Sequence, residues 1–151
     1  MTRTPTEVVH LLLDGISDGR WSELADLYAL DAVVEIPLAA PRPTRLEGRE
    51  QVRRQFLAAA GGPMRLRAHN VVVHTTGDPE VVIAEFDYHG TVGDRTFSVA
   101  NIQRLRVRDG EIVATRDYHD HLRLAAATGH LPSLAAAMSP TTATPPATSA
   151  G

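Results

Sequence analysis

The chain has 151 residues, a formal net charge of −3 and 43% hydrophobic residues, which fits one soluble globular domain with a sizeable core. The balanced charge predicts no nucleic-acid surface, and the short apolar runs exclude a membrane-spanning helix. The N-terminal stretch MTRTPTEVV lacks the apolar run of a signal peptide, so we expect a cytoplasmic protein.

Two absent residue types restrict the chemistry. The chain has no cysteine, which excludes disulfides, thiolate nucleophiles and sulfur-ligated metals. It also has no lysine, because all 15 basic residues are arginine, so a Schiff base or a covalently held pyridoxal phosphate is excluded. Catalysis would therefore depend on carboxylates, imidazoles, hydroxyls or a bound ion.

The first half of the chain has mainly helical patterns. Thr4 and Glu7 form a capping box around Pro5, which predicts a helix start. The predicted elements of this half are a helix from there to near Gly15–Gly19, a helix over 21–28, a strand over 32–37 and a helix between Gly48 and Gly61-Gly62.

The second half changes to strand patterns separated by turn residues. We predict strands over 64–76, 81–92, 95–108 and 111–120, with a short helix over 122–138 covering the open end. Helices followed by long antiparallel strands predict a single α+β domain over 1–138, with helices on one face of a curved sheet and a pocket between them. The Ser/Thr/Pro/Ala composition of 139–151 predicts a disordered tail.

Side-chain alternation along the strands suggests which polar residues share that pocket. On strand 95–108 the odd-numbered residues are apolar at both ends, as at Val99, and we expect this set to face the pocket. Taking the odd-numbered set on three neighbouring strands brings seven polar side chains towards one cavity: Glu85, Asp87, His89, Asn101, Gln103, Asp117 and His119. The alternative is that such residues simply face solvent, as isolated polar residues on strands usually do.

Two further interpretations concern metals and aromatic residues. His119 and His121 have the spacing of a metal-binding pair, but no third ligand is defined, so we predict no metal site. Trp21 and Tyr28 fit core anchors better than ligand-stacking residues, and Tyr28 is retained as a candidate substrate contact.

Three stretches carry a resemblance to a known family: LADLYALDAVVEIP, then Leu46-Glu47-Gly48 before a helix, then QRLRVRDGEIVATRDYHD. Together they resemble the SnoaL-like polyketide cyclases and their ketosteroid-isomerase relatives, in the nuclear transport factor 2-like superfamily. The resemblance covers roughly residues 5–130. It implies a cone-shaped, mostly antiparallel sheet with N-terminal helices on its concave face, a deep pocket, a homodimer and no cofactor.

The resemblance also suggests roles for individual residues. Asp117, within Arg116-Asp117-Tyr118, matches the aspartate that acts as general acid/base in the cyclases. The Arg-x-Asp pair of limonene-epoxide-type hydrolases matches Glu85-Phe86-Asp87, and their water-holding tyrosine and asparagine match Val33 and Glu35. The general base of ketosteroid isomerase is replaced by Ile36, and its protonated aspartate matches Gln103.

The leading hypothesis is a cofactor-independent cyclase or isomerase of a polyketide-type intermediate in natural-product or antibiotic biosynthesis. Asp117 would move a proton, His119 would tune it or act as partner acid, and Asp87 is the alternative base. Asn101 or Gln103 would bind an enolate oxygen, while Glu35 would lie near the pocket mouth. Three alternatives stay open: cyclisation guided by pocket shape alone, an epoxide hydrolase or epoxide-opening cyclase, and a non-catalytic small-molecule-binding module.

Overall fold

The computed structural model describes residues 2–140. Its helices are α1 (Pro5–Ser17), α2 (Trp21–Leu24), α3 (Arg49–Ala60), α4 (His121–Ala127) and α5 (Leu131–Met138). Its strands are β1 (Tyr28–Ile36), β2 (Thr44–Glu47), β3 (Met64–Thr75), β4 (Val81–Val92), β5 (Arg95–Arg108) and β6 (Glu111–His119).

The six strands form one curved sheet in the order β2-β1-β6-β5-β4-β3. Every neighbouring pair is antiparallel except β1 and β6, which are parallel. The hairpins β3–β4, β4–β5 and β5–β6 follow each other along the chain, so the long strands are built from local connections. The predicted α+β class, with a mostly antiparallel curved sheet, is confirmed.

The N-terminal helix begins as the capping pattern predicts. The Glu7 backbone N–H donates to Thr4 Oγ1 at 3.2 Å, and the Thr4 backbone N–H donates to Glu7 Oε2 at 2.7 Å. The inner face of α1 is fully buried against the sheet and carries Val8, Val9, Leu12 and Leu13. This apolar contact fixes the N-terminal helices on the concave face.

Some predicted boundaries differ from the structure. The helix predicted over 21–28 ends at Leu24, continues as a 3₁₀ turn over Ala25–Leu27, and gives way to β1 at Tyr28. Strand β2 was not predicted. The helix predicted over 122–138 is two helices, because Gly129 adopts a φ of 78° between α4 and α5. Most of the predicted disordered tail, from residue 141 onward, lies outside the described residues.

Within residues 2–140, no helix is both long enough and apolar enough to cross a membrane.

Candidate active site

A cavity of about 260 Å³ lies between the concave face of the sheet and helices α1, α2 and α3. Its wall is mainly apolar, and one end of it is polar. The apolar wall includes Leu12, Ile16, Trp21, Val34, Ile36, Val52, Phe56, Leu66 and Val99. The polar end includes Tyr28, Tyr88, Asn101, Gln103, Asp117, His119 and His121. Among the described residues, no arginine lines the cavity.

Asp117 is the buried carboxylate of this polar end. Its residue is 7% exposed, and Gln103 Nε2 donates a hydrogen bond to Asp117 Oδ1 at 2.8 Å. Burial raises the pKa of Asp117 from 3.8 to about 6, although the hydrogen bond from Gln103 acts in the opposite direction. A carboxyl group with a pKa near neutral can both accept and return a proton at physiological pH.

His119 lies beside Asp117 on the same face of β6. Its Nδ1 is 2.7 Å from Asn101 Oδ1, and its ring centroid is 5.8 Å from that of His121. Burial, together with the neighbouring His121, lowers the pKa of His119 from 6.5 to about 4. The imidazole is therefore neutral at physiological pH.

Tyr28 and Tyr88 bring two phenols to the same end of the cavity. Burial and the nearby Asp117 carboxylate raise the pKa of both hydroxyls above the ordinary value of 10. Both groups therefore stay protonated and can donate hydrogen bonds to a ligand oxygen. Tyr28 was a sequence candidate, whereas Tyr88 was missed.

Three candidates on β4 do not reach the cavity, and the expectation that they face it is wrong. Glu85 is exposed and lies 2.6 Å from His74, measured between Glu85 Oε2 and His74 Nε2. Asp87 accepts a hydrogen bond from the side chain of Asn70, and His89 stacks on His69. All three belong to the convex face of the sheet, which leaves Asp87 unavailable as an alternative base.

The register of the β4–β5 hairpin explains this error. Phe86 pairs with Asn101, and Tyr88 pairs with Val99, so even-numbered residues of β4 share a face with odd-numbered residues of β5. The two-residue turn Gly93-Asp94, which pairs Val92 with Arg95, already requires this opposite parity. That turn was the sequence signal that identifies Tyr88 as a cavity residue.

Glu35 also differs from its predicted place near the pocket mouth. On β1 the cavity is lined by Val34 and Ile36, so the side chain between them lies on the opposite face. There Glu35 Oε1 is 3.7 Å from Arg45 Nη1. The β1 wall is therefore apolar around Val34 and Ile36, and neither Val33 nor Glu35 is available to hold a water molecule inside the cavity.

A larger and more open depression of about 850 Å³ lies near the turn-proximal ends of β3, β4 and β5. Arg65, Arg67 and His89 are on its rim, but it contains neither Asp117 nor His119. Across residues 2–140, no group of three His, Asp or Glu side chains is placed to hold a metal ion. The smaller cavity is thus where the buried ionisable groups meet.

The family model of the SnoaL-like domain matches residues 9–115, which is more than half of the chain. The chain belongs to the SnoaL-like family. A curated relative, an uncharacterised PhzA/B-like protein of Pseudomonas aeruginosa, is 35% identical over 101 residues, covering 65% of this chain and 71% of the relative.

Solved structures agree with this family membership. A candidate isomerase of Bacillus subtilis is 26% identical, with a TM-score of 0.76 over 83% of this chain and 92% of that one. A candidate polyketide cyclase of Xanthomonas campestris is 19% identical, with a TM-score of 0.71 over 82% of this chain and 96% of that one. The second likeness concerns the fold alone, and the catalytic roles in this SnoaL-like domain have to be argued from its own residues.

Proposed function

We propose that this SnoaL-like domain is a cofactor-independent cyclase or isomerase that moves a proton on a carbonyl-bearing, polyketide-type intermediate. The observation that carries the proposal is Asp117, a buried carboxylate with a raised pKa at the polar end of an apolar cavity. Removing a proton next to a carbonyl requires such a base, in a site that excludes water.

The neighbouring side chains supply the matching acid functions. Removing the proton leaves negative charge on the substrate oxygen, and the protonated hydroxyls of Tyr28 and Tyr88 can stabilise it by donating hydrogen bonds. Gln103 holds one carboxylate oxygen of Asp117, which leaves the other oxygen for the substrate proton. Asn101 has both ends of its amide engaged by His119 and Val99, so Gln103 is the better candidate of the two for a further contact with a ligand oxygen.

The cavity also limits the substrate. Its lining has no arginine among the described residues, so a carboxylate or phosphate group would enter without a counter-charge, beside an ionised Asp117. Its volume of about 260 Å³ lies below the roughly 300–1,000 Å³ of common ligand pockets. We therefore expect an uncharged and compact substrate, of about one or two rings.

A compact bicyclic ketone provides a direct test. 2-Tetralone in deuterated buffer exchanges its α-protons, and its exchange can be followed by NMR with and without the protein. We expect the protein to accelerate exchange and the Asp117→Asn variant to lose about 10²–10⁴-fold of that acceleration, as is usual for a positioned acid/base. Asp87→Asn is the matched control, because that carboxylate lies on the convex face.

The outcomes separate the proposal from its alternatives. Equal acceleration by the protein and its Asp117→Asn variant would contradict the acid/base role and favour catalysis by cavity shape. Binding of the ketone without exchange would favour the small-molecule-binding module. Epoxide hydrolysis is the weaker alternative, because Val33 and Glu35, which match the water-holding tyrosine and asparagine of the epoxide hydrolases, do not line the cavity.

We also propose that the domain forms a homodimer through its convex face. Val72 and Ile102 lie in one cross-strand row with Glu85 between them, and their exposed fractions are 50% and 44%. Light scattering after size exclusion should give twice the monomer mass. Ile102→Glu should shift this value towards the monomer, while Leu57→Glu on the exposed side of α3 should not.

A further inference from the structure

Asn101 is held in one orientation by its two hydrogen bonds. The residue is 4% exposed, and its Nδ2 donates to the Val99 backbone oxygen at 3.0 Å. A carbonyl oxygen can only accept, so the NH₂ end of the amide has to face Val99. The other end, Oδ1, therefore faces the ring of His119 at 2.7 Å from Nδ1.

This orientation determines which nitrogen of His119 carries the proton. Asn101 Oδ1 is an acceptor, so the 2.7 Å contact requires a hydrogen on His119 Nδ1. The ring is neutral at physiological pH, because burial and His121 lower the pKa of His119 to about 4. A neutral ring has a single N–H, and Nε2 is therefore left with its lone pair.

The lone pair of Nε2 is available to a ligand. Nε2 of His119 makes no hydrogen bond with any residue in the described part of the chain, and His119 lines the cavity next to Asp117. The hydroxyls of Tyr28 and Tyr88 lie at the same polar end of the cavity, where they stay protonated and serve as donors. Beside the Asp117 carboxylate and the Gln103 amide, the polar end thus provides two hydroxyl donors and one ring nitrogen that can only accept.

We propose that Asn101 is a positioning residue that fixes His119 in the Nδ1–H tautomer, so that Nε2 accepts a hydrogen bond from a hydroxyl or enol group of the substrate. The proposal deepens the proposed function and rests on it for the identification of this cavity as the substrate site. It gives His119 the role of an acceptor rather than that of a partner acid. It also adds a substrate feature, an O–H group placed within reach of the carbonyl that Tyr28 and Tyr88 would bind.

The tautomer can be read without a substrate by long-range ¹H–¹⁵N NMR of the uniformly labelled protein at pH 7. The seven histidines give separate ring patterns, and His119 is identified by the pattern that disappears in His119→Gln. We expect Nδ1 to show the shift of a protonated nitrogen and Nε2 that of an unprotonated one. A protonated Nε2 in the unmodified protein would overturn the proposal.

Two substitutions of Asn101 test whether this residue sets the tautomer. Asn101→Leu removes the acceptor, and we expect the proton to redistribute to Nε2. Asn101→Asp keeps an acceptor oxygen, so Nδ1–H should persist, and the added negative charge should move the titration of His119 to higher pH. An unchanged Nδ1–H pattern in Asn101→Leu would overturn the role of Asn101. If Asn101→Leu does not fold, the loss of the Nδ1–H pattern in Asn101→Asp would overturn the role of Asn101.

The acceptor role is tested with 2-naphthol, a compact enol-like probe with one hydroxyl group. Its binding should move the Nε2 resonance of the unmodified protein towards that of a hydrogen-bonded nitrogen, while His74 on the convex face stays unchanged. Binding that leaves Nε2 unmoved would overturn the acceptor role. These spectra do not depend on turnover, so a failure of the tautomer proposal is distinct from a failure of 2-tetralone exchange.

Discussion

Replacing Asp117 by asparagine should stabilise the fold at neutral pH while it removes the proposed base. In the folded protein, burial raises the pKa of this carboxyl from 3.8 to about 6, a difference of about 2 units. Each unit corresponds to about 1.4 kcal/mol, so keeping Asp117 ionised in the cavity costs about 3 kcal/mol of stability. Asparagine has a similar shape, carries no charge, and can still accept the hydrogen bond from Gln103 Nε2.

The sign of the effect gives a specific pH dependence. A carboxyl group with a raised pKa in the folded state destabilises the fold only when it is ionised, so its cost is absent below pH 3.8. The cost grows as the pH rises through 6 and is complete above that value. The stability gained by Asp117→Asn should therefore increase from near zero at pH 3.5 to about 3 kcal/mol at pH 7.5.

Urea denaturation followed by circular dichroism at intervals between pH 3.5 and 8 measures this difference. His119 has a lowered pKa in the folded state and contributes the opposite trend, with stability lost as the pH falls from 6.5 through about 4. This contribution is present in both proteins and cancels in the difference.

Asp87→Asn, on the convex face, should change the free energy of unfolding at pH 7 by less than about 0.5 kcal/mol. A difference that is independent of pH, or an Asp117→Asn variant that is less stable at pH 7.5, would refute the argument.

Three further changes can be measured by the same urea denaturation. Thr4→Ala removes the Thr4 Oγ1 acceptor of the α1 capping box but keeps the backbone N–H that donates to Glu7, and it should cost about 1 kcal/mol, with exposed Thr2→Ala as the control. Thr115→Val removes a buried hydroxyl whose interaction with Asp117 lowers the pKa of that carboxyl, so it should cost stability at pH 7.5 and have less effect at pH 3.5, and an equal effect at both pH values would contradict this. Gly90→Ala places a methyl group against the ring of Phe97 and should cost about 1–3 kcal/mol, which the smaller side chain in Gly90→Ala/Phe97→Leu should partly restore.

Local sequence signals determined most of the secondary structure. The capping box at Thr4 and Glu7 and the apolar stripe behind it fixed the start and the buried face of α1. The Gly93-Asp94 and Asp109-Gly110 turns separated the long strands close to their observed ends. Such features depend on residues a few positions apart, so they can be predicted from the sequence alone. The placement of Asp117 on the last strand was predicted in the same way.

The contents of the cavity depended on how the strands pair, which alternation within one strand cannot reveal. The same odd-numbered parity was assumed for β4, β5 and β6, and it failed on β4 because the two-residue Gly93-Asp94 turn reverses parity across the hairpin. The equally short Asp109-Gly110 turn should have reversed it again between β5 and β6.

A bulge in β6 prevents that second reversal. Val107 pairs with Ile112 and Arg106 pairs with Ala114, so Val113 is an extra residue that shifts the register by one. Beyond it, Asn101 faces His119 and Gln103 faces Asp117, which gives the two hydrogen bonds that organise the site. The sequence contains the carboxylate, the imidazole and the amides of the site. Only the folded sheet decided that they meet, through the single extra residue Val113. The physical reason is that a one-residue shift moves every later side chain of a strand to the other face.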